Sequence, residues 1–113
     1  MKVILVSVDG MRPDALKNIA QVQDLIRRSS HTLSARTVFP PVTLPAHMSM
    51  FLGVDPDRHG TTTNTYTPQV RPINGLVEQL RANGNTCAFF YNWGQLRDLV
   101  PPGYLTFSFF FSA

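Results

Sequence analysis

The chain has 113 residues, the common size of one domain, and its 43% hydrophobic and 15% charged residues exclude a disordered chain. Its net charge of +3 is carried by ten scattered Lys and Arg residues. Only Arg27 and Arg28 adjoin, at the end of an expected helix where cations complement the dipole, so a nucleic-acid-binding stripe is excluded.

Residues 2–8 form an almost continuous apolar, β-branched run, which reads as a strand buried on both faces. Asp9 and Gly10 follow, and then Pro13 opens a stretch in which Leu16, Ile19, Ala20, Val22 and Ile26 recur at helical spacing. The absence of alternation after Gly10 rejects a hairpin in favour of strand, loop and helix. Residues 33–38 read as a second strand, closed by Phe39, Pro40 and Pro41. Residues 44–52 read as a helix ended by Gly53, and residues 54–67, rich in Pro, Asp, Gly and Thr, as an ordered loop. Ile73, Leu76, Val77 and Leu80 fall at i, i+3, i+4 and i+7 before Asn83 and Gly84, which marks another helix. Residues 86–91 read as a third strand, with Cys87 as a core thiol. A short helix over 95–100 is stopped by Pro101 and Pro102, and 105–111 reads as a fourth strand. Strands alternating with helices predict an α/β fold with a mostly parallel sheet and helices on both faces. The last strand is rich in Phe with no helix to cover it, so it is expected to favour association through its exposed apolar surface.

No stretch has a signal-peptide pattern or membrane-spanning length. The single cysteine permits no internal disulfide and points to a reducing compartment, so the expected location is cytoplasmic.

In open parallel sheets ligands bind beyond the carboxyl ends of the strands, which is where Asp9, Thr43 and Asn64 are expected. Each has a simpler reading beside the functional one: Asp9 as a turn or capping residue, Thr43 as an N-cap, Asn64 as a turn residue. The two readings of Thr43 are compatible, because a helix N-terminus attracts anions and a hydroxyl there lies beside a bound phosphate. His47 shares a helix face with Thr43 and reads as a satisfied core histidine. His59 reads as a brace within its loop and His31 as exposed. One carboxylate and one hydroxyl do not complete a metal site, since zinc takes about four ligands.

The segments VILVSVDGMRPDAL, FPPVTLPAHMSMFLGVDPDRHG and TTTN together resemble the alkaline phosphatase superfamily, specifically its type I phosphodiesterase/nucleotide pyrophosphatase branch. In that branch a hydrophobic strand ends in Asp-Gly, followed by an F-P-x-x-T-x-P-x-H segment and a P-x-x-H-G loop leading to Asn. The resemblance implies that Asp9 ligates one of two divalent metal ions, usually zinc. It makes Thr43 the metal-bound nucleophile that forms a phosphothreonine intermediate, and Asn64 the donor of an amide to a phosphoryl oxygen. Ala46 and Leu44 depart from the branch, where Asn and Phe are common, and this bears on substrate choice.

The implied activity is metal-dependent hydrolysis of a small-molecule phosphodiester or nucleotide pyrophosphate, with no nucleic-acid polymer and no membrane as partner. Alternatives are a phosphonoacetate hydrolase-like enzyme, a phosphomonoesterase, or a non-catalytic α/β binding module. Family members take their remaining Asp and His ligands from later in a longer domain, whereas here only Glu78 and Asp98 are acidic after Asn64 and no histidine follows it. Residues 1–113 are therefore expected to be the N-terminal portion of one alkaline phosphatase-like catalytic domain, inactive in isolation.

Overall fold

The structure, a computed structural model, describes residues 1–112. They fall into two compact units, Met1–Arg36 and a second that begins at Thr37.

In the first unit, the run over residues 2–8 is not a strand. A β-branched run becomes a strand only when a neighbour takes up its N–H and C=O groups, and no described segment pairs with it. Its side chains are exposed, Ile4 at 89% and Val6 at 74%. The expected strand over 33–38 is absent for the same reason. The chain turns at Asp9 and Gly10, where Gly10 adopts φ +73° and donates its N–H to Asp9 Oδ1 at 2.8 Å. Glycine takes this left-handed conformation without the Cβ clash that other residues suffer.

The expected first helix is present but broken in two. A 3₁₀ turn spans Pro13–Asn18, with proline in its first turn, and helix α1 spans Ala20–Arg28. Ile19 between them is extended, at φ −102° and ψ 103°. Gln23 Nε2 bridges the break by donating to Leu16 O at 2.9 Å. Asp24 pairs with Arg27 at 2.7 Å and Arg28 at 2.9 Å. Exposed pairs within one helix contribute only about 0.3–0.5 kcal/mol each.

The second unit contains helices α2 (Thr43–Leu52), α3 (Pro56–His59) and α4 (Leu76–Ala82), then strands β1 (Ala88–Tyr91) and β2 (Phe107–Phe110). A 3₁₀ turn, Gly94–Leu99, lies between the strands. Its core is organised on α2. Leu44, Met48 and Leu52 recur every four residues, one face of a helix, and are buried together with Val77 of α4 and with Leu99 and Val100. Burying each side chain of this size contributes about 1.5–3 kcal/mol. Gly53 ends α2 in the left-handed conformation, at φ +71°, and donates its N–H to Ser49 O at 2.8 Å.

Strands β1 and β2 pair in parallel, Ala88 opposite Phe107 through Tyr91 opposite Phe110. The fold is thus α/β, mixed helices with a small parallel sheet. One face of β1 joins the core, where Phe89 meets Phe51 edge-on at 5.2 Å between ring centres. The opposite face carries Phe90, Phe107, Phe109 and Phe111 in mutual ring contact. All four are exposed, Phe90 at 69%.

Helix α4 begins against the end of α2 at Gly75, where an added Cβ would lie 2.7 Å from Phe51 O and 2.9 Å from Leu52 Cδ2. A backbone carbonyl cannot move aside as a side chain can. Gly75→Ala is therefore expected to destabilise the chain by about 1–3 kcal/mol, the usual cost of overpacking. The urea unfolding midpoint measures it, and an unchanged midpoint would show that the α2–α4 contact is looser than described.

Candidate active site

The site begins with the turn that feeds α2. Val42 donates its N–H to Pro40 O at 2.9 Å. Val42 is also the N-cap residue, extended at φ −110° and ψ 151°. Thr43 is therefore the first helical residue and not the cap, which corrects the simpler of the two sequence readings. Pro45 lies in the first turn, where a backbone N–H has no partner inside the helix, so its missing donor costs nothing. The first helical bond runs from Ala46 N to Val42 O at 3.0 Å. Met48 and Leu44, on the buried face, fix the direction in which the start of the helix points.

The cap that Val42 lacks comes from elsewhere in the chain. Leu44 N donates to Asn64 Oδ1 at 3.0 Å. An amide has one carbonyl end and one NH₂ end. Its carbonyl end is committed to Leu44, the residue that follows Thr43. The structure thus brings Thr43 and Asn64 together, and the signal for it, an Asn capping from twenty residues away, has no local sequence pattern. Half-buried Thr43 is held again from within α2, because His47 Nδ1 donates to Thr43 O at 2.8 Å.

Asn64 owes its position to the residues before it. Thr61 is fully buried, and its Oγ1 accepts from Thr67 N at 3.3 Å and donates to Thr67 O at 3.4 Å. That pair closes the loop that presents Asn64. Within the loop, Thr65 N donates to Thr63 Oγ1 at 3.2 Å. His59, at the end of α3 and 1% exposed, accepts Thr61 N at Nδ1 over 3.1 Å. Its proton therefore lies on Nε2, which donates to Ser49 Oγ of α2 at 3.0 Å. His59 is the brace that the sequence suggested.

Burial pushes His59 below the ordinary histidine value of 6.5, with the Pro45 carbonyl and the Asp57 and Asp55 carboxylates offsetting part of the effect. Desolvation disfavours the charged ring, and a protonated Nδ1 cannot accept from Thr61. The unfolded chain binds this proton near pH 6.5 whereas the folded chain resists it, so stability is full above that value and falls as pH drops through the folded value. The urea midpoint should fall between about pH 7.5 and 5.5, and the slope should flatten in His59→Gln. A slope unchanged by the substitution would place the proton linkage elsewhere.

Asp9 belongs to the first unit, at the turn with Gly10 that follows the exposed apolar run. His31 is exposed, and Cys87 is half-buried against the core of the second unit. Among the described residues no three His, Cys, Asp or Glu side chains gather to hold a metal ion.

Two substitutions separate the two ends of the Asn64 amide. Asn64→Asp keeps an oxygen for Leu44 N, with a charge that suits a helix N-terminus, and should leave stability within about 0.5 kcal/mol. Asn64→Ala removes the cap and should cost about 1 kcal/mol. Thermal unfolding of the two variants checks this, and equal losses would show that the bond to Leu44 contributes nothing.

A family model described as type I phosphodiesterase/nucleotide pyrophosphatase matches residues 3–92, a span that holds Asp9, Thr43 and Asn64. Neither the curated proteins nor the solved structures gave a match. On that match over most of its length, the chain belongs to the type I phosphodiesterase/nucleotide pyrophosphatase family, metal-dependent hydrolases of small-molecule phosphodiesters.

Proposed function

We propose that this chain carries the nucleophile-bearing part of an enzyme that hydrolyses phosphodiester or nucleotide pyrophosphate bonds through a phosphothreonine intermediate. The single observation that supports the reading is the bond from Leu44 N to Asn64 Oδ1, which holds the Asn64 side chain at the first turn of α2, next to Thr43 in the chain. That is the combination phosphoryl transfer requires: an oxygen nucleophile, a donor for a non-bridging oxygen, and a positive dipole end for the anion.

In this reading Thr43 Oγ1 loses its proton and attacks phosphorus, and the bond to the leaving alkoxide or phosphate oxygen breaks. Asn64 donates its NH₂ to a phosphoryl oxygen as negative charge grows there. Water then hydrolyses the phosphothreonine and returns the hydroxyl. Asp9 and the Thr43 oxygen would supply part of the ligand set for two divalent ions, zinc by the family resemblance. When bound, such ions neutralise phosphoryl charge and ease deprotonation of the nucleophile. The half-buried backbone at Thr43, tied by His47 and fixed by the α2 core, keeps the hydroxyl from wandering between the two steps.

Residues 1–113 are proposed as the N-terminal portion of a larger catalytic domain. The support is the apolar surface described above: the 2–8 run, and a sheet face of four Phe side chains that the described residues leave uncovered. More of the same domain would supply the remaining metal ligands and bury both.

The test is hydrolysis of a chromogenic phosphodiester by the protein as its gene encodes it, with a phosphonate ester and a phosphomonoester in parallel. Thr43→Ala should lower turnover by at least about 10³-fold, as loss of a nucleophile does, without shifting the unfolding midpoint. Asp9→Asn should lower it and weaken metal binding, and a chelator should abolish it. Full activity in Thr43→Ala would remove the threonine mechanism, and activity that survives the chelator would remove the metals.

A further inference from the structure

The buried imidazole of His59 has no role in the chemistry just described, yet it links the middle of α2 to the loop that carries Asn64. Ser49 Oγ, on α2, takes the Nε2 proton at 3.0 Å. Thr61 N donates to Nδ1 at 3.1 Å. Thr61 Oγ1 closes the loop on Thr67. Asn64, inside that loop, returns to the start of the same helix by accepting from Leu44 N at 3.0 Å.

These bonds form a circuit that leaves α2 at Ser49 and returns to it at Leu44. A Ser–His pair at this distance invites comparison with a catalytic couple, but the tautomer excludes it. Nδ1 is the acceptor, so Nε2 carries the proton and gives it to Ser49; a base would take a proton from serine. His59 and Thr61 are also almost wholly buried, at 1% and 0% exposure, which keeps substrate from the ring.

We infer that His59 is a positioning residue for the reaction. Held between Ser49 and Thr61, it sets the height of the 61–67 loop along α2, and so keeps the Asn64 amide seated on Leu44 N–H with its NH₂ end toward the phosphoryl position. This rests on the proposed role of Asn64. His59 acts only through Asn64, and that restriction gives the inference its test. A side chain that merely stabilises the fold lowers activity independently of residue 64, whereas a positioning residue has nothing left to position once the amide is gone.

The experiment is a double-mutant cycle on the gene-encoded protein, using the chromogenic phosphodiester and amide hydrogen exchange. His59→Gln keeps a donor near the Nε2 position for Ser49 and loses the Nδ1 acceptor; Ser49→Ala removes the other partner and leaves the ring. Each should lower kcat/KM by about tenfold alone, and by less than about twofold when added to Asn64→Asp. Exchange at the Leu44 amide should quicken in both variants while the Met48 and Leu52 amides stay protected. Equal losses in the two backgrounds, or unchanged exchange at Leu44, would overturn the inference. Full activity in Asn64→Asp would overturn the proposed role of Asn64 itself, and the exchange measurement would still decide whether His59 seats the amide.

Discussion

A single hydrogen bond, from Leu44 N to Asn64 Oδ1, ties the loop that carries Asn64 to the first turn of α2, beside Thr43. A helix that starts with a valine at its cap and a proline in its first turn has few means of closing its own N-terminus. The bond comes instead from a distant loop, and its direction decides what that loop presents. Because the carbonyl end of the amide is used by the helix, only its NH₂ end could serve a ligand, and the proposed reaction uses it in that way. In the proposed reaction the same bond would both cap a helix and hold the amide that binds the phosphoryl group.

The bond is dependable because both of its partners are anchored by burial. Leu44 carries the donor and is itself wholly buried, in one line with Met48 and Leu52. On the other side, the buried pair of His59 and Thr61 sets the base of the loop. Packing of apolar side chains thus holds a polar arrangement in place, and of the polar groups that do the holding, His59 and Thr61 are themselves buried. Small rigid supports of this kind limit the motion of a reactive group without adding competing chemistry.

Much of this was legible in the sequence, and the parts that were not have physical reasons. The helix at Thr43–Leu52 with its Gly53 terminus, the bracing role of His59, and the two parallel strands with their exposed Phe face follow from local patterns: periodicity, a glycine stop, alternation. The 2–8 and 33–38 runs have strand composition but no ladder, because strand formation is decided by a partner that composition does not reveal. The helix after Pro13 breaks at Ile19 although its apolar spacing continues through it. At Thr43 the residue type favoured a cap, yet Val42 takes the cap position and Thr43 is the first helical residue. The contact to Asn64 joins residues twenty apart and leaves no periodic trace at all.

The central claim is that Thr43 is the residue that becomes covalently joined to phosphorus. It is tested most directly by acid-quenching the gene-encoded protein during turnover of a phosphodiester and locating the adduct by mass spectrometry of its peptides. The account predicts a phosphoryl-ester mass increment on Thr43, present with substrate, absent in Thr43→Ala, and increased in amount when quenched early in the reaction. An adduct on another residue, or steady turnover with no adduct at any quench time, would contradict it.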